Sequence, residues 1–287
     1  MEIIMFGAGA SAHVLYDEVS QRGNVAAFAD NDAKKWGQSL FGVPICRPEE
    51  CLAGMEYDQV VVSAFCGLEE IRQQCLALGV PPEKIVTSYF ESSKESRKVF
   101  LKNLSSLLNE YEQEADVAEA GVYRGEFAKW INFYFPNRVL HLFDTFEGFD
   151  DRDLAVERER GFSEEEAGHF CETSVDVVME QMPYLEQCRI HKGYFPDTAA
   201  GLERRFCFVN LDMDLYLPIY RGLQFFQDRM TANGIILVHD YYSSGYKGAR
   251  AAVDAFLSES GKAIRKYPIG DDASVMLAGN WKCSLER

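Results

Sequence analysis

The sequence predicts an α/β fold made of two successive Rossmann-like, parallel-sheet domains. Three observations carry that expectation. Short apolar runs alternate with helix-length segments along the chain. A glycine turn follows the first strand of each half, at Gly7-Ala8-Gly9 and from Gly121 to Gly125. Near the end, Ala263 to Gly270 and Ala273 to Ala278 flank Asp271-Asp272 as an antiparallel strand pair would.

In the first half, Glu2 to Phe6 reads as a strand, and Ser11 to Arg22 as a helix that ends near Gly23. Strands are expected at Val25 to Ala29, Gln59 to Ser63 and Lys84 to Thr87, with a helix over 68–78 that stops at Gly79. Residues 91–115 carry Leu101, Leu104, Leu107 and Leu108, the spacing of one amphipathic helix. It links a small domain, 1–92, to a second, 93–287. The second half predicts strands at Val117 to Ala120, Val139 to Phe143, Cys188 to Lys192, Phe206 to Leu211 and Ile235 to Val238. Its helices are expected up to about Phe135 and over 174–186, 218–230 and 247–259. The charged stretch 147–173 has two readings, a solvated insertion or a lid over a site. Loops 147–173 and 243–248 are where specificity would reside.

Composition narrows the function classes. The 287 residues carry a net charge of -16, which argues against a nucleic-acid partner or an anionic membrane surface, since both rely on clustered Lys and Arg. Neither a membrane-length apolar run nor a signal-peptide pattern is present. Eight cysteines without a CxxC pair fit reduced thiols and a cytoplasmic location.

Glu119 ends a strand just before Gly121-Val-Tyr-Arg-Gly125. In a doubly wound sheet this is the ligand crevice, and glycine lets a ligand approach the backbone. A carboxylate there suits a ligand with cationic groups, such as the ammonium and sulfonium of S-adenosylmethionine. The alternative is a structural turn. Asp144 ends the next strand, where an acidic side chain accepts from ribose hydroxyls or caps a helix. Asp212-Met-Asp214 and His239-Asp240 end the last two parallel strands. Two carboxylates and an imidazole at one rim match the ligands of a divalent cation. Otherwise they cap loops and pair with basic side chains.

The motifs Glu119-Ala-Gly-Val-Tyr-Arg-Gly125, Asp144-Thr-Phe-Glu-Gly148, Gly193-Tyr-Phe-Pro-Asp-Thr198, Leu211-Asp-Met-Asp-Leu-Tyr216 and His239-Asp-Tyr241 follow one another in this order. Together, over about 117–260, they resemble the macrocin O-methyltransferase family, which methylates sugar hydroxyls. The resemblance implies a class I methyltransferase sheet with a C-terminal antiparallel hairpin. It places Glu119, Gly121, Tyr123, Gly125, Asp144 and Thr145 on the S-adenosylmethionine side. It places Asp212, His239 and Asp240 on a Mg²⁺ or other divalent cation. The family usually carries Asp-Asp-Tyr where this chain has His239-Asp240-Tyr241, and histidine favours softer ions. Coordination would lower the pKa of an acceptor hydroxyl. Asp212 is then the candidate general base, and His239 could share that role.

The first domain holds Gly7-Ala-Gly9-Ala-Ser-Ala12 after a strand, with Asp30 after the second strand, the dinucleotide fingerprint. With Phe28-Ala-Asp-Asn-Asp32 and Gly42-Val-Pro44 it resembles the small amino-terminal domains of sugar-modifying enzymes. NAD(P) binding, a nucleotide-sugar or carrier-docking role, and a structural or homo-oligomer-forming role all stay open. For the whole chain the alternatives are an NAD(P)-dependent sugar oxidoreductase and a non-catalytic nucleotide-sugar-binding module.

Overall fold

The computed structural model describes residues 1–64, 67–112, 114–163, 165–243, 245–279 and 281. Glu164 of the 147–173 stretch, Ser244 of the 243–248 loop, and the thiols of Cys66 and Cys283 lie outside the described residues. The chain forms two compact units, the first over Met1–Lys94 and the second starting at Glu95. Among the described residues no helix is long and apolar enough to cross a membrane, and the six described cysteines are free thiols.

The first unit runs β1 (Glu2–Phe6), α1 (Ala10–Arg22), β2 (Asn24–Ala29), β3 (Ser39–Leu40), β4 (Val43–Cys46), α2 (Pro48–Gly54), β5 (Gln59–Val62), α3 (Leu68–Ala77) and β6 (Ile85–Val86). The sheet order is β3-β4-β2-β1-β5-β6, with β1 parallel to both β2 and β5. The β3–β4 hairpin and α2 were not anticipated from the sequence. Phe41 and Gly42 both take positive φ, 54° and 78°, as a two-residue hairpin turn requires. The fingerprint aspartate is engaged within its own unit. Asp30 Oδ2 accepts from the Ala8 N–H at 2.7 Å and from Lys35 Nζ at 3.0 Å, while Oδ1 accepts from the Asp32 N–H at 2.8 Å.

The helix α4 (Ser88–Tyr111) leads into the second unit. There follow β7 (Asp116–Ala120), α5 (Ala128–Tyr134), β8 (Leu140–Asp144), α6 (Asp151–Arg160), α7 (Val175–Gln181), β9 (Cys188–Lys192), β10 (Phe206–Leu211), α8 (Tyr216–Phe226), β11 (Met230–Val238), α9 (Lys247–Glu259), β12 (Ile264–Pro268) and β13 (Val275–Gly279). The seven-stranded order is β12-β13-β11-β10-β7-β8-β9. The strands β7 to β11 pair in parallel, and β13 inserts antiparallel between β11 and β12. Every residue of β7 and β10 is buried, because helices cover both faces of a parallel sheet. Ala118, Val209 and Leu211 pack on Ile219, Leu223 and Phe226 of α8. On the other face Val117 and Phe208 meet Leu101 and Leu108 of α4 and Ile131 of α5.

Three elements differ from expectation for local reasons. The helix expected over 174–186 stops at Gln181, since Met182 precedes Pro183 and is pushed out of the helical region. The helix expected to reach 230 ends at Phe226. Met230 instead begins a longer strand, pairing with Phe206 before a register shift ahead of Ile235. The 147–173 stretch contains α6, whose Leu154, Asp153 and Glu157 are buried.

Register places the rim. Ala120 pairs with Phe143 and with Leu211, and Leu211 pairs with Val238. The residues that follow, Asp144, Gly121, Asp212 and His239, therefore form one row along the carboxyl ends of four strands. The ladder continues into that row through Gly121 N–H to Phe143 O at 2.9 Å, Asp212 N–H to Ala120 O at 2.8 Å, and His239 N–H to Leu211 O at 2.9 Å. Gly121 takes φ +84°, and a Cβ there would lie 1.9 Å from the Asp212 carbonyl oxygen. Gly121→Ala is expected to cost about 2–5 kcal/mol through strain and overlap. Urea denaturation followed by circular dichroism measures it, and a loss below about 1 kcal/mol would show that the contact is not tight.

Candidate active site

Two groups of side chains face each other along this row. The first surrounds the glycine turn. Val122 N–H and Tyr123 N–H donate to Asp144 Oδ2 at 2.7 and 2.9 Å, and Phe146 N–H donates to Oδ1 at 2.7 Å. Asp144 thus locks the turn onto β8. A carboxylate has about four acceptor positions, so room remains for a ribose hydroxyl. Gly121 lies against the Asp212 backbone. Gly125 instead turns back toward Met182 and Val178, whose side chains a Cβ would meet at 3.2 and 3.3 Å, and it takes a φ of +80° that strains any other residue. The Thr145 hydroxyl donates to the Gly148 carbonyl at 2.7 Å and holds its own turn. Tyr123 adopts φ 49°, its ring meets Phe170 edge-on at 5.1 Å, and its carbonyl accepts from Thr173 Oγ1.

Those last contacts bear on the charged insertion. Phe170 also meets Phe149 at 5.4 Å. Glu157 of α6 accepts from the Tyr216 N–H at 2.6 Å and from Ser163 Oγ at 3.1 Å. The insertion therefore packs on both the glycine turn and the start of α8, where a purely solvated loop would touch neither.

The second group is acidic. Ligand-type atoms of Asp212, His239 and Asp240 all lie within 4.8 Å of one another. His239 Nδ1 is 2.7 Å from Asp240 Oδ2 and 3.1 Å from Asp212 Oδ1. Asp240 and Asp214 both hold positive φ, 57° and 60°, at the turns that end β11 and β10. Aspartate tolerates this region better than most residues.

Two further residues, Arg97 and Asn210, connect the groups and a third, Asp214, joins the acidic one; the sequence alone assigns none of them a role. Arg97 on α4 reaches Asp212 Oδ2 and Asn210 Oδ1, both at 2.9 Å. Asn210 in turn donates to Glu119 Oε1 at 2.7 Å. Asp214 shares a side-chain hydrogen bond with Asp240. The sequence did hold signals for them. Arg97 shares the helical phase of Leu101, Leu104 and Leu108, the buried stripe of α4, and Asn210 interrupts the apolar run Phe206 to Leu211.

Electrostatics follow from these contacts. Burial, reinforced by the Asp212 charge, pushes Glu119 up to about 8. Burial works against a charged Asp212, but His239 and Arg97 outweigh it and hold this carboxyl far below the usual range. Burial likewise opposes a charged His239, yet Asp212 and Asp240 push it up to about 10. Burial and the Asp240 carboxylate raise Asp214 well above an ordinary aspartate.

The buried Glu119 Oε2 accepts no hydrogen bond from the described residues, the condition expected of a carboxylate kept for a cationic ligand. Two carboxylates and an imidazole at this spacing fit a small divalent cation.

Comparison with known proteins gives the family and the fold. The sequence profile of Macrocin-O-methyltransferase (TylF) matches residues 96–267, and a profile described as C2185-like, N-terminal, matches residues 1–86. No curated protein matches the chain. Among solved structures, the O-methyltransferase NovP superposes with a TM-score of 0.54 at 20% identity, over 64% of this chain and 80% of NovP. CalS11, a calicheamicin methyltransferase, gives a TM-score of 0.53 at 17% identity, over 75% of this chain and 90% of CalS11. These similarities establish the class I methyltransferase fold. With the family profile spanning more than half of its length, the chain belongs to the macrocin O-methyltransferase family and is an S-adenosylmethionine-dependent O-methyltransferase.

Proposed function

We propose that the protein methylates a sugar hydroxyl of a glycan or secondary metabolite, with a divalent cation held by Asp212, His239 and Asp240. The observation that carries this reading is the convergence of those three side chains within 4.8 Å, just past the ends of β10 and β11 and beside the glycine turn that follows β7. S-adenosylmethionine supplies the methyl group, and the cation supplies positive charge toward the acceptor oxygen.

The chain's own residues divide the remaining work. Glu119 and Asp144 hold the two polar ends of the methyl donor, its cationic amino-acid part and its ribose. Phe170 and Thr173 bring the 147–173 insertion down on Tyr123, which makes that insertion a lid limiting water access. Positioning of the two reactants is the largest contribution asked of the fold.

The proton acceptor is better placed on Asp214 than on Asp212, the residue expected from the sequence. Both oxygens of Asp212 are engaged, one by Arg97 and one by His239, which suits a ligand. Asp214 follows the same strand and shares a side-chain hydrogen bond with Asp240, which with burial raises its carboxyl; positive charge held at Asp240 would lower it again and free it to accept a proton.

Two experiments test the site. Asp212→Asn should abolish cation binding and turnover while the Kd for S-adenosylmethionine changes by less than about threefold. Asp214→Asn should keep the cation but lower kcat by about 10²-fold or more. Calorimetry and steady-state kinetics with a panel of sugar acceptors read both, and full turnover in the Asp214 variant would remove it from the mechanism.

Glu119 gives a pH signature. With its carboxyl near 8, it is largely protonated at pH 7 and must lose that proton to meet a cationic ligand. Donor affinity should therefore rise between pH 7 and 8.5, with proton release on binding at the lower pH. Glu119→Gln should flatten that dependence. A wild-type Kd that is level across this range would place the donor's amino group elsewhere.

A further inference from the structure

We infer that Arg97 is a positioning residue that orients Asp212 for cation binding and ties that ligand to the methyl-donor side through Asn210. The inference rests on the cation reading above.

The geometry is unusual for an arginine on an amphipathic helix. Arg97 is only 7% exposed, and its guanidinium lies over the Phe127 ring at 3.9 Å. Phe127 sits two residues beyond Gly125, at the start of α5. One nitrogen, Nη2, meets both Asp212 Oδ2 and Asn210 Oδ1 at 2.9 Å. Asn210 passes the connection to Glu119 Oε1 at 2.7 Å. A planar fork resting on an aromatic face has little freedom to rotate, so the Asp212 carboxylate is held with Oδ2 toward α4. Only Oδ1 is left toward His239, at 3.1 Å.

This arrangement predicts the sign of the effect. If Arg97 acted only through its charge, removing it would relieve repulsion and tighten cation binding. If it positions Asp212, removing it frees both carboxylate oxygens to close on His239. That closed pair would then have to open before a cation could enter, and affinity would fall. The aromatic contact and the shared nitrogen favour positioning.

The test uses manganese(II) titrated into the full-length wild type, Arg97→Lys, Arg97→Met and Asp240→Ala, with Kd from calorimetry and Tm measured alongside. Expected is a Kd weakened about tenfold or more in the Met variant. The Lys variant should fall between, about threefold weaker than wild type, and Asp240→Ala should lose binding. A Met or Lys variant that binds manganese as tightly as wild type, or more tightly, overturns the role of Arg97 and leaves the cation site standing. Equal weakening in Lys and Met, in step with loss of Tm, shows a purely structural arginine and also overturns it. A wild type that binds no manganese overturns the cation reading and this role with it. Should the Met variant not fold, the Lys variant decides between the same outcomes.

Discussion

Buried ionisable side chains are the constraint on which the second unit is built. Glu119, Asp212, His239 and Arg97 are all held largely away from water. Leaving one such group unpaired costs several kcal/mol, so each needs a partner within the protein or in a ligand. The chain answers with one connected path, from Glu119 through Asn210 and Arg97 to Asp212, and on through His239 to Asp240. The path makes demands on the fold. α4 must cover β7 and β10 closely enough for Arg97 to reach their ends, which Leu101 and Leu108 secure by packing into the same core as Val117 and Phe208. The helix that opens the catalytic unit is therefore part of the site.

Backbone geometry supplies the other half of the argument. Parallel pairing fixes which residues emerge side by side, and here it sets Gly121 against the Asp212 carbonyl. Any side chain at 121 would push the acidic rim and the glycine turn apart. The absence of one Cβ is what allows the donor side and the acceptor side to share a single row. Asp144 reinforces that row by accepting from two successive N–H groups of the turn. The turn is thereby shaped by the protein itself before any ligand arrives, which reduces the ordering that binding must accomplish.

Much of this was legible in the sequence because parallel strands are written as apolar runs. Leu140–Asp144 and Phe206–Leu211 fall where those runs place them, and the acidic residues that close them, Asp144 and Asp212, mark the rim without any coordinates. The β3–β4 hairpin was not legible. Its strands are short, and its turn uses Phe41 at positive φ, where asparagine or glycine would have advertised it. The long N-terminal extension of β11 was masked by Thr231, Asn233 and Gly234, which read as a loop between a helix and a strand. At the site, the residues that end strands were visible and those that join them were not. Arg97 lies 115 positions from Asp212, and only the tertiary fold explains why a charged residue occupies a leucine stripe.

The pairing of Asp212 with both Arg97 and His239 also gives the departure from the family pattern a physical sense. The family usually presents Asp-Asp-Tyr where this chain has His239-Asp240-Tyr241. Replacing a carboxylate by an imidazole removes one negative charge, and Arg97 adds a positive charge on the far side of Asp212. On the proposed reading, the cation is drawn less by net charge and more by donor geometry and by the preference of imidazole nitrogen for softer metals. A site of that kind holds its shape through internal ion pairs before a cation arrives. A rim of carboxylates alone would repel itself and depend on the cation to close. The histidine therefore trades some electrostatic pull for pre-organisation, and the arginine on α4 makes the exchange workable by keeping Asp212 from collapsing fully onto it.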